Sequence, residues 1–173
     1  MKSALLRLVV LAVGVAVGLA VAGAAGSATA APAVLSGVVT KVLDGDTLVV
    51  QPAGRAPLEV RLRDIDAPES CQAWGAEARQ ALEEMALGKT VELRTHARDA
   101  YGRVVGSVSV EGEDLGRRMV VEGHAWSTRS KWDLGPLVKQ ERQARALGRG
   151  LHATAGALQP REFRRLHGPC ARR

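Results

Sequence analysis

A small β-barrel closed on itself and packed against about three helices, a mainly β variant of the α+β class, is what this sequence predicts. Five short β-patterned stretches lie between residues 36 and 110, punctuated by Gly, Pro and Asp turn residues. One helical stretch interrupts them after the third, and further helical stretches follow the fifth.

The first two strands form a hairpin in LSGVVTKVLDGDTLVV. Val38, Val39, Val42 and Leu43 lead in, Asp44 and Gly45 supply turn chemistry, and Leu48, Val49 and Val50 lead out. A second turn, Gly54 to Pro57, precedes a third strand at Leu58 to Arg63. There Leu58, Val60 and Leu62 alternate with Glu59, Arg61 and Arg63, so one face is apolar and the other charged. GAEARQALEEMALG follows. Its Ala78, Ala81, Leu82 and Met85 fall at helical spacing opposite Arg79, Glu83 and Glu84, and Gly88 stops the pattern. TVELR (90–94) and VVGSVSV (104–110) supply the last two strands.

Helices are expected over Glu113 to Glu122 and Gly135 to Ala146, the second supported by the Glu141 and Arg145 pair at i,i+4. Leu115, Met119, Leu137 and Ala144 are their core positions. The tail QPREFRRLHGPCARR reads as irregular and basic. Five strands with one inserted helix fit the OB-type barrel, whose outer face and loops commonly meet oligonucleotides or oligosaccharides.

The chain of 173 residues opens with Lys2 and Arg7, the apolar run LVVLAVGVAVGLAVAGAAG, and then SATAAP with small residues at Ala28 and Ala30. This is the order of an export signal, with cleavage expected after Ala30 or Ala31. The run approaches the ~18 residues that can span a bilayer, so an uncleaved anchor is the alternative. Residues 1–31 are therefore set apart as a signal peptide, 32–155 as the barrel domain and 156–173 as a basic extension. Once the signal is removed, no membrane insertion is expected.

Export places Cys71 and Cys170, the two cysteines of the chain, in an oxidising compartment where pairing is the default. Chain-entropy arguments give a bond over so long a loop roughly 4 to 5 kcal/mol. Such a bond pins the tail beside residues 61–69. The net charge of +6 is uneven: residues 139–173 carry nine Lys or Arg against Glu141 and Glu162. A basic tail suits a polyanionic partner, although basic tails also serve solubility.

Three stretches concentrate the chemistry: DGDT at 44–47, RLRDIDAPE at 61–69 and DAYGR at 99–103. In the expected barrel, all three can converge on one rim. Asp46, Asp66 and Glu69 gathered there repel one another unless a cation offsets them. Oxygen donors alone point to a hard ion such as Ca²⁺ or Mg²⁺. His96, His124, His152 and His167 show no zinc spacing, and neither cysteine has a C-x-x-C partner. Arg61 and Arg103 add guanidinium forks suited to phosphate oxygens. Glu69, in a loop stiffened by Pro68, is the candidate general base. Together these groups imply phosphodiester hydrolysis. Singly, each stretch is an ordinary turn.

D-G-D-T, R-x-x-x-x-D-A-P-E and D-x-Y-G-R, in this order, resemble the staphylococcal-nuclease-like (thermonuclease) family over roughly residues 36–153. GHAW at 123–126, ERQAR at 141–145 and GRGL at 148–151 fit the same pattern. The resemblance implies an OB-fold, Ca²⁺-dependent nuclease that cuts DNA and RNA, single- or double-stranded, and leaves 3′-phosphate ends. It places Asp46 and Asp66 as metal ligands and Glu69 as general base. Arg61 falls on the phosphate-binding arginine and Arg103 on the arginine that stabilises the transition state. Tyr101 matches a position where a nucleotide contact or packing is expected. Ala67 replaces the threonine of the best-known member. The tyrosines often found after GHA are missing, leaving Trp132 for base stacking and Trp126 for packing. The expected product is a secreted or periplasmic monomer. A non-catalytic nucleic-acid or protein-binding module on the same barrel is the competing function, and retention of all five charged positions argues against it.

Overall fold

The computed structural model describes residues 34–130, 132–153 and 156–170. The expected signal peptide lies outside the described residues. Three antiparallel strands open the barrel: β1 (Val34–Val42), β2 (Thr47–Pro52) and β3 (Leu58–Leu62). A two-residue strand, β4 (Ile65–Asp66), leads toward helix α1 (Gly75–Ala86), and β5 (Thr90–Arg98) and β6 (Val104–Val110) follow as an antiparallel pair. β5 returns to β1, while β6 runs parallel to β3 with Arg61 opposite Val105. That last pairing closes five strands into a mixed barrel and leaves them no free long edge.

Alternation along the strands fills the interior. Val39, Leu48, Val50, Val60, Leu93 and Val108 are fully buried, and each such side chain gives roughly 1.5–3 kcal/mol of apolar burial. Helix α1 lays Ala78, Leu82 and Met85 on one end of this core. Gly88, at φ 75°, ends that turn of chain, and its N–H donates to the Val39 carbonyl.

Past the barrel, β7 (Glu113–Asp114) pairs with β6 and leads directly into α2 (Leu115–Val121). The helix starts two residues later than expected because the Asp114 carboxylate accepts the Arg117 N–H at 2.7 Å, the bond of an N-cap. β8 (Trp126–Ser127) pairs with β4, setting Trp126 opposite Asp66. α3 (Val138–Ala146) begins three residues after Gly135, and a 3-10 turn spans Gly150–His152. Leu115, Met119 and Ala144 are buried as expected, with Leu137 packed at the margin. Glu141 does pair with Arg145, yet it is buried and also binds Arg129 and the Ser127 N–H.

The tail corrects the expectation of irregular chain. Residues Pro160–His167 form helix α4, with Pro160 in its first turn and Gly168 at φ 75° after its end. Proline there gives up an N–H that would have had no helical partner, and glycine accepts the left-handed backbone of the exit. The third strand also stops one residue early, so Arg63 sits in a turn and pairs with Asp64.

Gly45 decides how closely the first loop approaches α1. A Cβ on it would stand 2.8 Å from the Cβ atoms of both Ala67 and Ala78. Gly45→Ala is expected to lower unfolding free energy by about 1–3 kcal/mol through overpacking, read from urea unfolding midpoints. An unchanged midpoint would mean that the two loops have room to separate.

Candidate active site

Sheet register brings the charged side chains together. Thr47 lies opposite Arg61 across β2 and β3, and the Asp46 carbonyl accepts the Leu62 N–H at 2.8 Å. Asp46 therefore arrives beside Arg61 although 15 positions separate them. Asp66 reaches the same place through its pairing with Trp126, which is buried. The Arg61 guanidinium spans the two acids, with Nη1 2.9 Å from Asp46 Oδ1 and Nη2 2.8 Å from Asp66 Oδ1.

Asp46 is 3 % exposed and fully engaged. Its Oδ1 also accepts the Thr47 hydroxyl, and its Oδ2 accepts the Ala67 N–H at 3.0 Å. The last bond ties the DGDT loop to the DAPE loop through backbone, so alanine at position 67 preserves it. Burial opposes the Arg61 charge, but Asp46 and Asp66 outweigh that effect and keep the guanidinium protonated. For Asp66 the balance falls the other way. Burial and the neighbouring Asp46 raise its carboxyl despite Arg61 and Arg164.

Glu69 follows Pro68 in the irregular loop before α1. Its N–H donates to Gln72 Oε1 at 3.1 Å, and Gly75 packs so tightly beneath that a Cβ there would lie 2.1 Å from the Glu69 carbonyl oxygen. Its carboxylate is held by Arg164 of α4, an arginine 95 residues away. The other guanidinium nitrogen of Arg164 lies 4.0 Å from Asp66 Oδ2. Cys71 and Cys170 are disulfide-bonded, which fastens the end of the tail to this same loop.

Arg103 is paired with a different acid, Asp99. It precedes β6, whose Val105 faces Arg61, and strand alternation sets Arg103 on the same face as Arg61 two positions away. Asp99 holds it at 2.7 Å, and the exposed Tyr101 ring lies 5.5 Å from its guanidinium carbon. Trp132 is 87 % exposed while Trp126 is core, the division expected from the sequence.

Two participants were missed. Asp44, expected only as a turn former, is half-buried in the loop, where it accepts the Asp46 N–H. Burial and the Asp46 charge push its carboxyl up to about 6. Arg164 lay in a tail assigned no structure; the proline and glycine bounding its helix were the available signals.

Among the described residues, no three His, Cys, Asp or Glu side chains are grouped closely enough to hold a metal by themselves. The three-carboxylate cluster expected from the sequence is thus reduced to Asp46 and Asp66, with Glu69 linked through Arg164. Charge and donor chemistry still fit a hard divalent cation. Among the described residues, Arg61 and Arg164 are the ion-pair partners of Asp46, Asp66 and Glu69, and the Asp44 and Asp66 carboxyls are raised first by burial and then by the neighbouring Asp46 charge.

The family model for staphylococcal nuclease homologues matches residues 59–154. The chain is 34% identical over 128 residues to an "uncharacterized endonuclease" of Haemophilus influenzae, covering 73% of this chain and 71% of that protein. A "micrococcal nuclease" of Shigella flexneri is 36% identical over 140 residues, covering 75% and 80%. A "probable staphylococcal-like nuclease" of Oryza sativa is 38% identical over 106 residues, which is 61% of this chain and 32% of the rice protein.

The Asp44 carboxyl gives a signed pH dependence. Its folded value of about 6 lies above the ordinary 3.8, so its stabilising contribution is complete below the unfolded value and disappears as pH rises through 6. In chelator, Asp44→Asn is expected to flatten the fall in stability between about pH 4 and 6, by up to about 3 kcal/mol. Urea unfolding across that range checks this. A slope equal to wild type would locate the titration elsewhere.

Proposed function

Because the chain belongs to the staphylococcal nuclease homologue family, we propose that it is an exported, Ca²⁺-dependent endonuclease acting on DNA and RNA with little sequence preference. The observation that carries this reading is Arg61 set between Asp46 and Asp66, a permanently charged fork at the heart of an acidic site. Asp46 and Asp66 would hold the cation, which when bound draws charge from a phosphate oxygen. Arg61 then binds the phosphodiester through the paired N–H groups that suit its oxygens.

Glu69 takes the proton of a water that attacks phosphorus. The bond to the 5′ oxygen breaks and that oxygen takes up a proton from solvent, leaving a 3′-phosphate and a 5′-hydroxyl. Arg103, on the Arg61 face of the barrel, stabilises the charge that builds on the phosphoryl oxygens and the departing oxygen. This recognition addresses the backbone of the nucleic acid. The exposed rings of Tyr101 and Trp132 offer stacking surfaces, which accept any base. Export rests on the basic, apolar and small-residue order of residues 1–31 and agrees with the Cys71–Cys170 bond. The active species is a monomer.

Purified protein lacking residues 1–31 is expected to degrade plasmid DNA and RNA with Ca²⁺ and to stop with chelator. Binding without cleavage would support a non-catalytic module instead. Glu69→Gln should lower kcat by roughly 10²- to 10⁴-fold while leaving substrate binding in place. Full turnover would remove Glu69 as base. Arg103→Ala should reduce kcat more than it raises KM; the opposite split would make Arg103 a ground-state binding residue.

A further inference from the structure

The C-terminal extension is built into the site at three points. Gln72, two residues before Trp74 in the loop that carries Glu69, donates from Nε2 to the Leu158 carbonyl at 2.6 Å and accepts the Glu69 N–H on Oε1. Pro160, the first residue of α4, is buried. At the far end, Cys170 is bonded to Cys71 and its sulfur accepts the Cys71 N–H at 3.0 Å. Helix α4 is thus fastened before and after to the same few residues, 69–72.

Between these anchors, α4 presents Arg164 to Glu69. Arg61 is committed to Asp46 and Asp66, and Arg103 to Asp99. Among the described residues, Arg164 is the single ion-pair partner of the Glu69 carboxylate. Without it, a side chain with three rotatable bonds would stand on an irregular loop with nothing to select one orientation. A guanidinium supplies five donors in a rigid fork, enough to hold Glu69 and still face Asp66.

We propose that Arg164 is a positioning residue for Glu69 and that the Cys71–Cys170 bond delivers it, so that the tail is a working part of the nuclease site. The inference rests on Glu69 acting as base. A water-activating carboxylate must be aimed within a fraction of an ångström, and misplacement by about 1 Å can cost about 10²-fold in rate. The helix carries three arginines, of which Arg164 pairs across to the Glu69 loop, Arg165 pairs with Glu162 of its own helix and Arg161 is exposed.

The test compares steady-state cleavage of a defined DNA by wild type, Arg164→Ala, Arg164→Lys, Arg161→Ala and Cys71→Ser/Cys170→Ser. Arg164→Ala is expected to lower kcat by roughly 10- to 100-fold with little change in KM. Arg164→Lys should recover part of the loss, since it keeps the charge but not the fork. Arg161→Ala removes the same charge from the same helix and should match wild type. Loss of the disulfide should reproduce the Arg164→Ala defect, and adding Arg164→Ala to it should cost little more.

A readout without metal or substrate accompanies the kinetics. Hydrogen exchange over residues 66–74 of the metal-free protein should quicken in Arg164→Ala, whose disulfide remains intact. Should the cysteine variant fail to fold by circular dichroism, the two Arg164 variants and the exchange data carry the test. An Arg164→Ala enzyme with wild-type or higher kcat, beside an inactive Glu69→Gln, would overturn the role of Arg164 and leave the base in place. Full activity of Glu69→Gln would instead remove the reading on which the inference stands.

Discussion

The Arg61 bridge between Asp46 and Asp66 is the interaction on which the site depends. Two carboxylates so close, one of them 3 % exposed, repel strongly in a medium that screens poorly. A cation between them turns the repulsion into a constraint that joins three segments: the loop before β2, strand β3 and the short strand β4. Removing one partner of such a buried arrangement leaves an uncompensated charge and is far costlier than the loss of a surface pair. Stability and chemistry share these atoms. The barrel encloses this negative charge and remains folded, and Arg61 is the group that reconciles the two.

Backbone does much of the aiming. Asp46 is placed by the register of β2 against β3, Asp66 by a two-residue pairing with β8, and Arg103 by the parallel pairing of β6 with β3. None of these positions relies on a flexible loop alone. The close approaches at Gly45 and Gly75 complete the arrangement, since a methyl group at either would push the DGDT loop or the Glu69 loop outward. A rigid barrel rim of this kind can hold groups contributed by distant parts of the chain to the tolerance catalysis requires.

Much of this was legible in the sequence because it is written in short-range periodicity. Leu58, Val60 and Leu62 alternate with Glu59 and Arg61, which places Arg61 on the polar face without knowledge of its partner. Ala78, Leu82 and Met85 mark the buried side of α1 in the same way. The missing parts depend on contacts that no local pattern encodes. Nothing near position 164 announces Glu69, and Asp44 looks like any turn aspartate until the fold closes over it. Trp126 could be assigned to the core from its neighbours, but not its pairing with Asp66 through β8. The motif resemblance supplied Asp46, Arg61, Asp66, Glu69 and Arg103 as a set; only geometry revealed that Arg103 is held by Asp99.

The bond between Cys71 and Cys170 spans 99 positions, so it can close only after every element from α1 to α4 has been synthesised. Until then Arg164 is tied to the Glu69 loop by nothing covalent, and a reducing milieu prolongs that condition. Completion of the Glu69 loop is thereby coupled to the redox state of the surroundings, and a chain held among reduced thiols keeps its final helix there by noncovalent contacts such as Gln72 with Leu158 and Arg164 with Glu69.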